Sequence, residues 1–193
     1  LGSMMIIFIV PNFRLIRAIN FLFSCLAVIL ITTQFTFVKE RMIDQTIGDM
    51  GIANPNQDTV IFSQGHQDHY ITAFRMFLDK PLIGHGPKMF REACSNYDIY
   101  LYGCSSHPHN SYLQVLSELG IIGFLPLLGL FLYIVFILLR HFISHILSKK
   151  KFILKNEEIF LLIAFTITLW PLAPTLSFFT SWINAIYYLP LGF

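Results

Sequence analysis

Charged residues are scarce in this chain of 193 residues, since Asp, Glu, Lys and Arg together make up only 12% of it. Soluble domains carry roughly a quarter charged residues, so this shortage argues against an ordinary cytosolic protein and against a disordered tail. The net charge of +2 provides no polybasic surface, which excludes a nucleic-acid-binding protein. Apolar residues make up 55% of the chain and 20 residues are Phe, which indicates an integral membrane protein.

The start of the chain also lacks the pattern of a secretory signal, which needs a basic region before an apolar run and a small-residue cleavage site after it. The chain begins at Leu1, and Met4–Val10 is typical of the end of an earlier membrane span. We therefore expect the C-terminal portion of a longer polytopic protein.

Three uncharged stretches reach the roughly 20 apolar residues that a helix needs to cross the hydrocarbon core of a bilayer. They are Ala18–Val38, Leu119–Leu139 and Ile159–Phe179. Pro171 and Pro174 are expected to break the third helix near its end, because proline cannot continue the backbone hydrogen bonds. Trp182–Phe193 is also apolar but is too short to span, so it predicts a partial or returning helix.

Lys and Arg in short loops predict the orientation, because cytoplasmic loops carry an excess of both. Arg14 and Arg17 precede the first span, and a basic link at 140–158 follows the second. Both segments are predicted to be cytoplasmic, which places residues 39–118 on the opposite side of the membrane. The predicted fold class is all-α: a polytopic helical membrane protein with one large, mostly helical external loop. Its parts are an N-terminal apolar tail and transmembrane helix at 1–38, the loop domain at 39–118 and C-terminal transmembrane helices at 119–193.

The loop 39–118 is polar, with six Lys and Arg against nine Asp and Glu and with five of the seven His. Its apolar residues recur at the spacing of one helix face: Tyr70, Ala73, Phe74, Phe77 and Leu78. This spacing predicts an amphipathic helix that ends before Pro81 and packs on the membrane face or on the loop's own core. Lys88–Cys94 predicts a second short helix, and a third is expected to begin at an N-cap, Asn110, and to continue into the membrane.

Cysteine is rare as well, and two of the three residues, Cys94 and Cys104, lie in the loop, whereas Cys25 lies alone in a span. If the loop faces an oxidising compartment, the pair is placed to form a disulfide that closes a small loop. Two separate buried thiols are the alternative.

Four histidines of the loop form two closely spaced pairs, His66 with His69 and His107 with His109. Such pairs are common zinc ligands, but no His-Glu-x-x-His spacing occurs and the further ligands are ambiguous, so we expect no metal. Most of these histidines are expected at the surface. His109 differs from the others, because it lies with Asn110 where the loop enters the second span.

Two motifs within residues 60–140 resemble the O-antigen ligase and polymerase superfamily. The first is Pro-Leu-Ile-Gly-His-Gly-Pro-Lys-Met-Phe at 81–90, and the second runs from His107 to Gly123 and includes His-Asn, Tyr-Leu-Gln and Glu-Leu-Gly. The resemblance implies a glycosyltransferase of the bacterial inner membrane with one large periplasmic loop, which here is 39–118. It implies a donor glycan on undecaprenyl diphosphate, passed to the lipid A core by ligases or to a growing polysaccharide by polymerases. It implies no metal and no cofactor.

The chemistry of such a donor predicts the site residues. A glycosyl diphosphate already has a good leaving group, so the enzyme chiefly needs cations for the developing diphosphate charge and a base for the acceptor hydroxyl. Arg91 is the predicted phosphate contact and His109 the predicted base, because an imidazole titrates near neutral pH. A helix-entry role, with a hydrogen bond to the backbone, is the alternative for His109.

The predicted substrate-binding residues are Lys88, Arg75, Asn110, Tyr112, His107 and His66. Asn110 and Tyr112 are expected to position groups without reacting, and a solvated place on the polar face of the helix is favoured for Arg75. His66 stands where the family carries an Arg, four residues before an aromatic residue. Glu118 is expected to orient His109 or to lie at the headgroup boundary.

Two other classes of function stay open, namely a non-catalytic membrane subunit or transporter segment, and a zinc-dependent membrane hydrolase. Transporters place ionisable residues within their spans, whereas Asn20 and Gln34 are the only strongly polar residues in the spans here, which argues against transport. The predicted partners are the lipid-linked glycan, its acceptor and membrane lipid, with no nucleic acid.

Overall fold

The structure is a computed structural model, and it describes residues 6, 7, 9, 10, 13–52, 62–100, 102–148 and 154–180. Within these residues the chain is helical and contains no strand, as the predicted all-α class requires. The elements are α1 (Arg14–Gln34), α2 (Thr36–Lys39), a π-helix (Glu40–Asp44), α3 (Gln45–Asp49), α4 (Gln64–Asp79), α5 (Phe90–Ala93), a 3₁₀-helix (Cys94–Asn96), α6 (Ser111–Ser148) and α7 (Asn156–Thr168).

Two helices in the described part of the chain are long and apolar enough to cross a membrane. α1 has this length over Arg14–Gln34, and α6 has it over Ser111–Ser144. No side chain of α1 is buried, and Phe23, for example, is 72% exposed. A helix that is apolar on all sides requires an apolar environment, such as lipid or further helices.

The predicted third span, Ile159–Phe179, is interrupted as its prolines predicted, since its helix ends at Thr168, ahead of Pro171. α7 covers only 13 residues, about 20 Å at 1.5 Å per residue, which is shorter than the roughly 30 Å hydrocarbon core. The helix ends where side chains from the start of α6 take up the carbonyls of Leu169 and Pro171. Residues 169–180 then run as turns and extended chain, and we name this segment the strap.

Two apolar cores organise the described residues. The larger one packs α6 against α7 and also includes Ile9 and Val10, from the segment predicted to end an earlier span. The smaller one packs α4 against α5 and consists of Ala73, Met76, Phe90 and Cys94. The smaller core holds α5 beside α4. The expected helix at 182–193 lies outside the described residues.

α4 is the predicted amphipathic helix, but its buried face differs from the predicted apolar stripe. Thr72, Ala73 and Met76 are buried, whereas Phe74 and Leu78 are 48% and 60% exposed. The loop's own core therefore takes Ala73 and leaves the centre of the stripe outside. The reason is that α5 and α6 contact α4 from one side only.

α6 bends at Gly120, whose φ of 62° and ψ of −163° lie outside the helical region. Glycine adopts this conformation without the strain that a Cβ would cause, and a Cβ on Gly120 would also collide with the backbone of Leu82. Gly84 has a φ of 66° and lies equally close to the backbone of Glu118. The turn after α4 and the bend in α6 are therefore in backbone-to-backbone contact.

Candidate functional site

A cavity of about 280 Å³ opens between the turn after α4, the start of α6 and the strap. Its described lining combines two cationic side chains, an imidazole, three hydroxyl groups, an amide and one apolar residue: Lys88, Arg91, His107, Ser106, Ser177, Thr180, Gln114 and Leu176. Cations and hydroxyl donors suit an anionic ligand such as a phosphate. We name this cavity the cationic pocket.

The guanidinium of Arg91 has one close ion-pair partner among the described residues. Its Nε lies 3.3 Å from Oε1 of Glu92, and both side chains are 64% exposed. Exposed pairs of this kind contribute little free energy, so the pair leaves Arg91 able to turn toward a ligand.

Glu118 positions the turn that carries both cations. Its carboxylate is fully buried and accepts the backbone N–H of Lys88 at 2.7 Å and of Phe90 at 3.0 Å. Lys88 has a left-handed φ of 62°, which these bonds help to hold. Burial raises the pKa of Glu118, and the two N–H donors oppose that rise. Among the described residues its hydrogen bonds go to the turn and to Gln114 and none goes to His109, so the geometry does not support the alternative in which Glu118 orients His109.

Gln114 connects this turn to the strap, and sequence reasoning assigned it no role. Its Nε2 donates to Ser177 Oγ at 3.1 Å and to Glu118 Oε1 at 3.4 Å, and its Oε1 accepts the N–H of Phe178 at 2.8 Å. The side chain is 1% exposed. Gln114 therefore holds two walls of the cationic pocket at a fixed separation. Its place in the second motif was the signal, whereas Ser177 and Thr180 gave none.

Asn110 and Tyr112 fasten the strap to the start of α6. Asn110 Oδ1 accepts the N–H groups of Tyr112 and Leu113, both at 3.0 Å, which confirms the predicted N-cap. Asn110 Nδ2 donates to Pro171 O at 2.7 Å, and Tyr112 Oη donates to Leu169 O at 2.8 Å. Both side chains position the strap, and neither belongs to the described lining of the two cavities, so the predicted positioning of substrate stays a prediction.

The two histidine pairs, which are far apart in sequence, come together in space. The ring centroid of His109 lies 4.2 Å from that of His107, 5.4 Å from His66 and 5.5 Å from His69. We name these four residues the histidine cluster. His107 is only 8% exposed, so the expected surface position is wrong for it. The sequence spacing predicted the two pairs. It did not predict that they lie against each other, because this depends on how α4 packs beside the start of α6.

Hydrogen bonds orient two of the four rings. His66 Nδ1 lies 2.7 Å from Ser63 Oγ, and His107 Nδ1 lies 2.9 Å from Ser106 Oγ. In the described part of the chain, no group of three or more His, Cys, Asp or Glu side chains is arranged to hold a metal ion. The geometry therefore gives the zinc-hydrolase alternative no support.

Burial and the neighbouring imidazoles lower the pKa values of three histidines of the cluster. Burial, followed by the nearby His107, His69 and His66, lowers the pKa of His109 to about 4. Burial also lowers the pKa values of His69 and His107. At neutral pH His109 is therefore unprotonated and able to accept a proton.

His109 lines a second cavity, of about 480 Å³, on the other side of the strap, and it is not part of the described lining of the cationic pocket. This cavity is lined by His109, Ile167, Thr168, Ala173, Pro174, Thr175 and Leu176. Leu176 lines both cavities, so the strap separates them. The backbone holds the strap here, because Thr175 N donates to His109 O at 2.8 Å.

Four predicted ligands lie outside the described lining of the cationic pocket: Asn110, Tyr112, His66 and Arg75. Arg75 lies on α4. Its Nη1 donates to the carbonyl of Tyr97 at 3.1 Å, and the residue is exposed. The position matches the polar face of α4 that sequence reasoning favoured. A disulfide joins Cys94 to Cys104, whose Cα atoms are 5.3 Å apart, and closes the loop that contains Tyr97. We name this segment the disulfide loop.

Comparison with known proteins gives one match. A family model described as O-antigen ligase matches residues 1–128. These residues include the turn that carries Lys88, the histidine cluster and the start of α6, but not the strap. No curated protein and no solved structure matches the chain.

Proposed function

The chain belongs to the O-antigen ligase family, and from this membership we propose that it transfers a glycan from an undecaprenyl-diphosphate carrier to the lipid A core. The family's members are glycosyltransferase-like enzymes associated with membranes. The proposed location is the bacterial inner membrane, with α1 and α6 crossing the bilayer and the loop 39–118 in the periplasm. Transfer to a growing polysaccharide, by a polymerase, is the alternative.

One juxtaposition carries the proposal. The cationic pocket contains Lys88 and Arg91, and the ring of His107 in its lining lies 4.2 Å from the ring of His109. A place for an anionic leaving group and a neutral base are thus one imidazole ring apart. Glycosyl transfer from a diphosphate requires both functions at the reacting atoms.

The proposed reaction has one transfer step, with inversion at the sugar. The oxygen of the acceptor hydroxyl attacks the anomeric carbon of the donor, and its proton passes to the unprotonated nitrogen of His109. The bond between the anomeric carbon and the phosphate oxygen breaks, and undecaprenyl diphosphate leaves with the electron pair. Lys88 and Arg91 stabilise the charge that develops on the leaving oxygen.

The acceptor is tested by supplying both alternatives to the complete protein in membrane vesicles that contain the lipid-linked glycan. Glycan appearing on lipid A core supports the ligase. Lengthening of the lipid-linked glycan, with lipid A core left unmodified, supports the polymerase instead. If folded protein gives neither product, the enzyme assignment is wrong and a non-catalytic subunit is favoured.

The site is tested by replacing Arg91 with Ala and comparing it with Arg75→Ala. We expect Arg91→Ala to lower transfer roughly 100- to 1000-fold, the usual cost of losing one group that stabilises transition-state charge. Arg75→Ala is the matched control, because it removes the same charge from an exposed position outside the pocket. Equal losses in both variants would contradict the assignment of the cationic pocket.

A further inference from the structure

An apolar surface on α4 and the following turn has no covering partner among the described residues. It consists of Phe74 and Leu78 on α4 and of Leu82 and Ile83 in the turn, with exposures of 48, 60, 65 and 70%. We name these four residues the apolar strip. It faces away from the buried side of α4, because Phe74 and Leu78 lie across the helix from Thr72 and Met76.

The depth of the strip along α6 is fixed by backbone contacts. Ile121 N donates to Pro81 O at 2.8 Å and Ile122 N donates to Leu82 O at 3.3 Å. The turn therefore lies against the first turn of α6 after the bend at Gly120. That part of α6 is uncharged until Arg140.

The strip continues onto an exposed apolar side of α6 itself. Ile122 and Leu125 are 61% and 56% exposed. Single exposed apolar side chains are common, but a contiguous run at the entry of a candidate membrane span indicates an interaction surface.

We propose that the apolar strip is seated in the outer surface of the lipid bilayer, so that α4 lies on the membrane and does not project from it. This inference depends on the proposed crossing of the membrane by α6. If α6 crosses, Leu82 and Ile83 are at the depth of its first apolar turn, where an exposed side chain lies at the edge of the bilayer's hydrocarbon core. Lys80 lies exposed beside the strip, where its ammonium can reach the lipid headgroups.

The proposal also gives the cationic pocket a depth. Gln114 and Glu118 precede Gly120 by six and two residues, which corresponds to about 9 and 3 Å along a helix. Headgroup layers extend roughly 5 to 8 Å beyond the hydrocarbon on each side. The pocket therefore lies in or just above the headgroups, and a lipid diphosphate enters it from the side without leaving its own depth.

The test compares two isoleucines that are both exposed but lie in different places. Ile83 belongs to the apolar strip, whereas Ile99, at 57% exposure, lies in the disulfide loop. Each is replaced by Trp in the complete protein, in phosphatidylcholine vesicles whose acyl chains are brominated close to the headgroup. The emission of the unchanged protein, which contains Trp170 and Trp182, is subtracted from each.

We expect the added emission of Ile83→Trp to be blue-shifted and to lose most of its intensity in brominated vesicles. Ile99→Trp should keep its intensity there and lose it to the water-soluble quencher iodide. If Ile83→Trp is quenched by iodide and not by brominated lipid, the proposal is overturned. A third variant, Leu82→Trp, serves if Ile83→Trp does not fold.

The measurement needs no glycan transfer, so its outcome separates the two proposals. Quenching by lipid in a protein that transfers no glycan would support the membrane seat and contradict the proposed function. Active transfer without lipid quenching would do the reverse.

Discussion

The cationic pocket and the histidine cluster lie side by side, but the pocket contains charged side chains whereas His109 in the cluster is unprotonated at neutral pH. In the pocket, Arg91 is 64% exposed, so water continues to solvate its charge. In the cluster, burial and the neighbouring imidazoles lower the pKa of His109 to about 4. On the proposed function, desolvation therefore separates two roles: the cations that would hold a phosphate stay charged, and the imidazole that would accept a proton stays neutral.

The largest effect is expected when the base is removed and the cations are left in place. We expect His109→Gln to lower transfer roughly 100- to 10,000-fold, the range attributed to general acid–base catalysis, because Gln cannot accept the proton. Binding of the lipid-linked donor should change little, since Lys88 and Arg91 remain. Transfer and donor binding are measured on the same preparation.

His85→Gln is the matched control for that experiment. His85 lies in the same loop but outside the cluster, with its Nε2 3.0 Å from the carbonyl of Met76. It should retain most of the transfer activity. A His109→Gln protein with nearly full activity would show that His109 only bonds the backbone at the helix entry, through contacts such as that with Thr175.

A smaller effect is expected when the support of the cations is disturbed. Glu118→Gln keeps one acceptor oxygen but leaves the N–H of Lys88 or Phe90 without its partner, which costs about 1–3 kcal/mol. The turn should then hold the cations less well, so the KM for the donor should rise about tenfold while kcat changes less. Glu92→Gln changes an exposed carboxylate next to Arg91 and is the control. A fall in kcat without a rise in KM would contradict the positioning role.

The smallest expected effect concerns pH. Because the pKa of His109 is lowered to about 4, the unprotonated base persists as pH falls below 6.5, and the acid limb of kcat/KM should lie closer to pH 4 than to 6.5. The unfolded chain binds more protons than the folded one between these values, so stability also falls as pH decreases through that window. Unfolding measured over the same pH range separates the two effects.

The neighbours of His109 sharpen this pH prediction. His107 lowers the pKa of His109 more than His66 does. His107→Gln should therefore move the acid limb to higher pH, and His66→Gln should move it less. An acid limb that stays in place in both variants would mean that the cluster does not control the proton acceptor.

Local features of the fold were predictable from the sequence, because neighbouring residues determine them. The periodicity of α4 and the cap at Asn110 depend on residues within one helical turn. The disulfide was one of two open alternatives, since the spacing of Cys94 and Cys104 allows a bond without requiring it.

Features that depend on distant packing were not predictable in the same way. Gln114 bonds to Ser177 and Phe178, more than 60 residues away, and no local pattern announces such contacts. The end of α7 was predictable only in part. Pro171 and Pro174 indicated a break, but no local pattern indicated that Asn110 and Tyr112 bind the carbonyls that follow the helix. Lys88 and His107 were predicted as ligands, but their shared cavity exists only because the strap closes it.

The contacts of Gly84 with the backbone of Glu118 and of Gly120 with the backbone of Leu82 limit which substitutions this part of the fold can accept. Backbone touches backbone there, so no rotamer can adjust the distance and no larger side chain can be introduced on either glycine. The turn that leads to Lys88 is therefore held at a fixed distance from the bend in α6. On the proposed function, we expect differences in substrate preference to arise in the strap, where Leu176, Ser177 and Thr180 contribute to the lining of the cationic pocket.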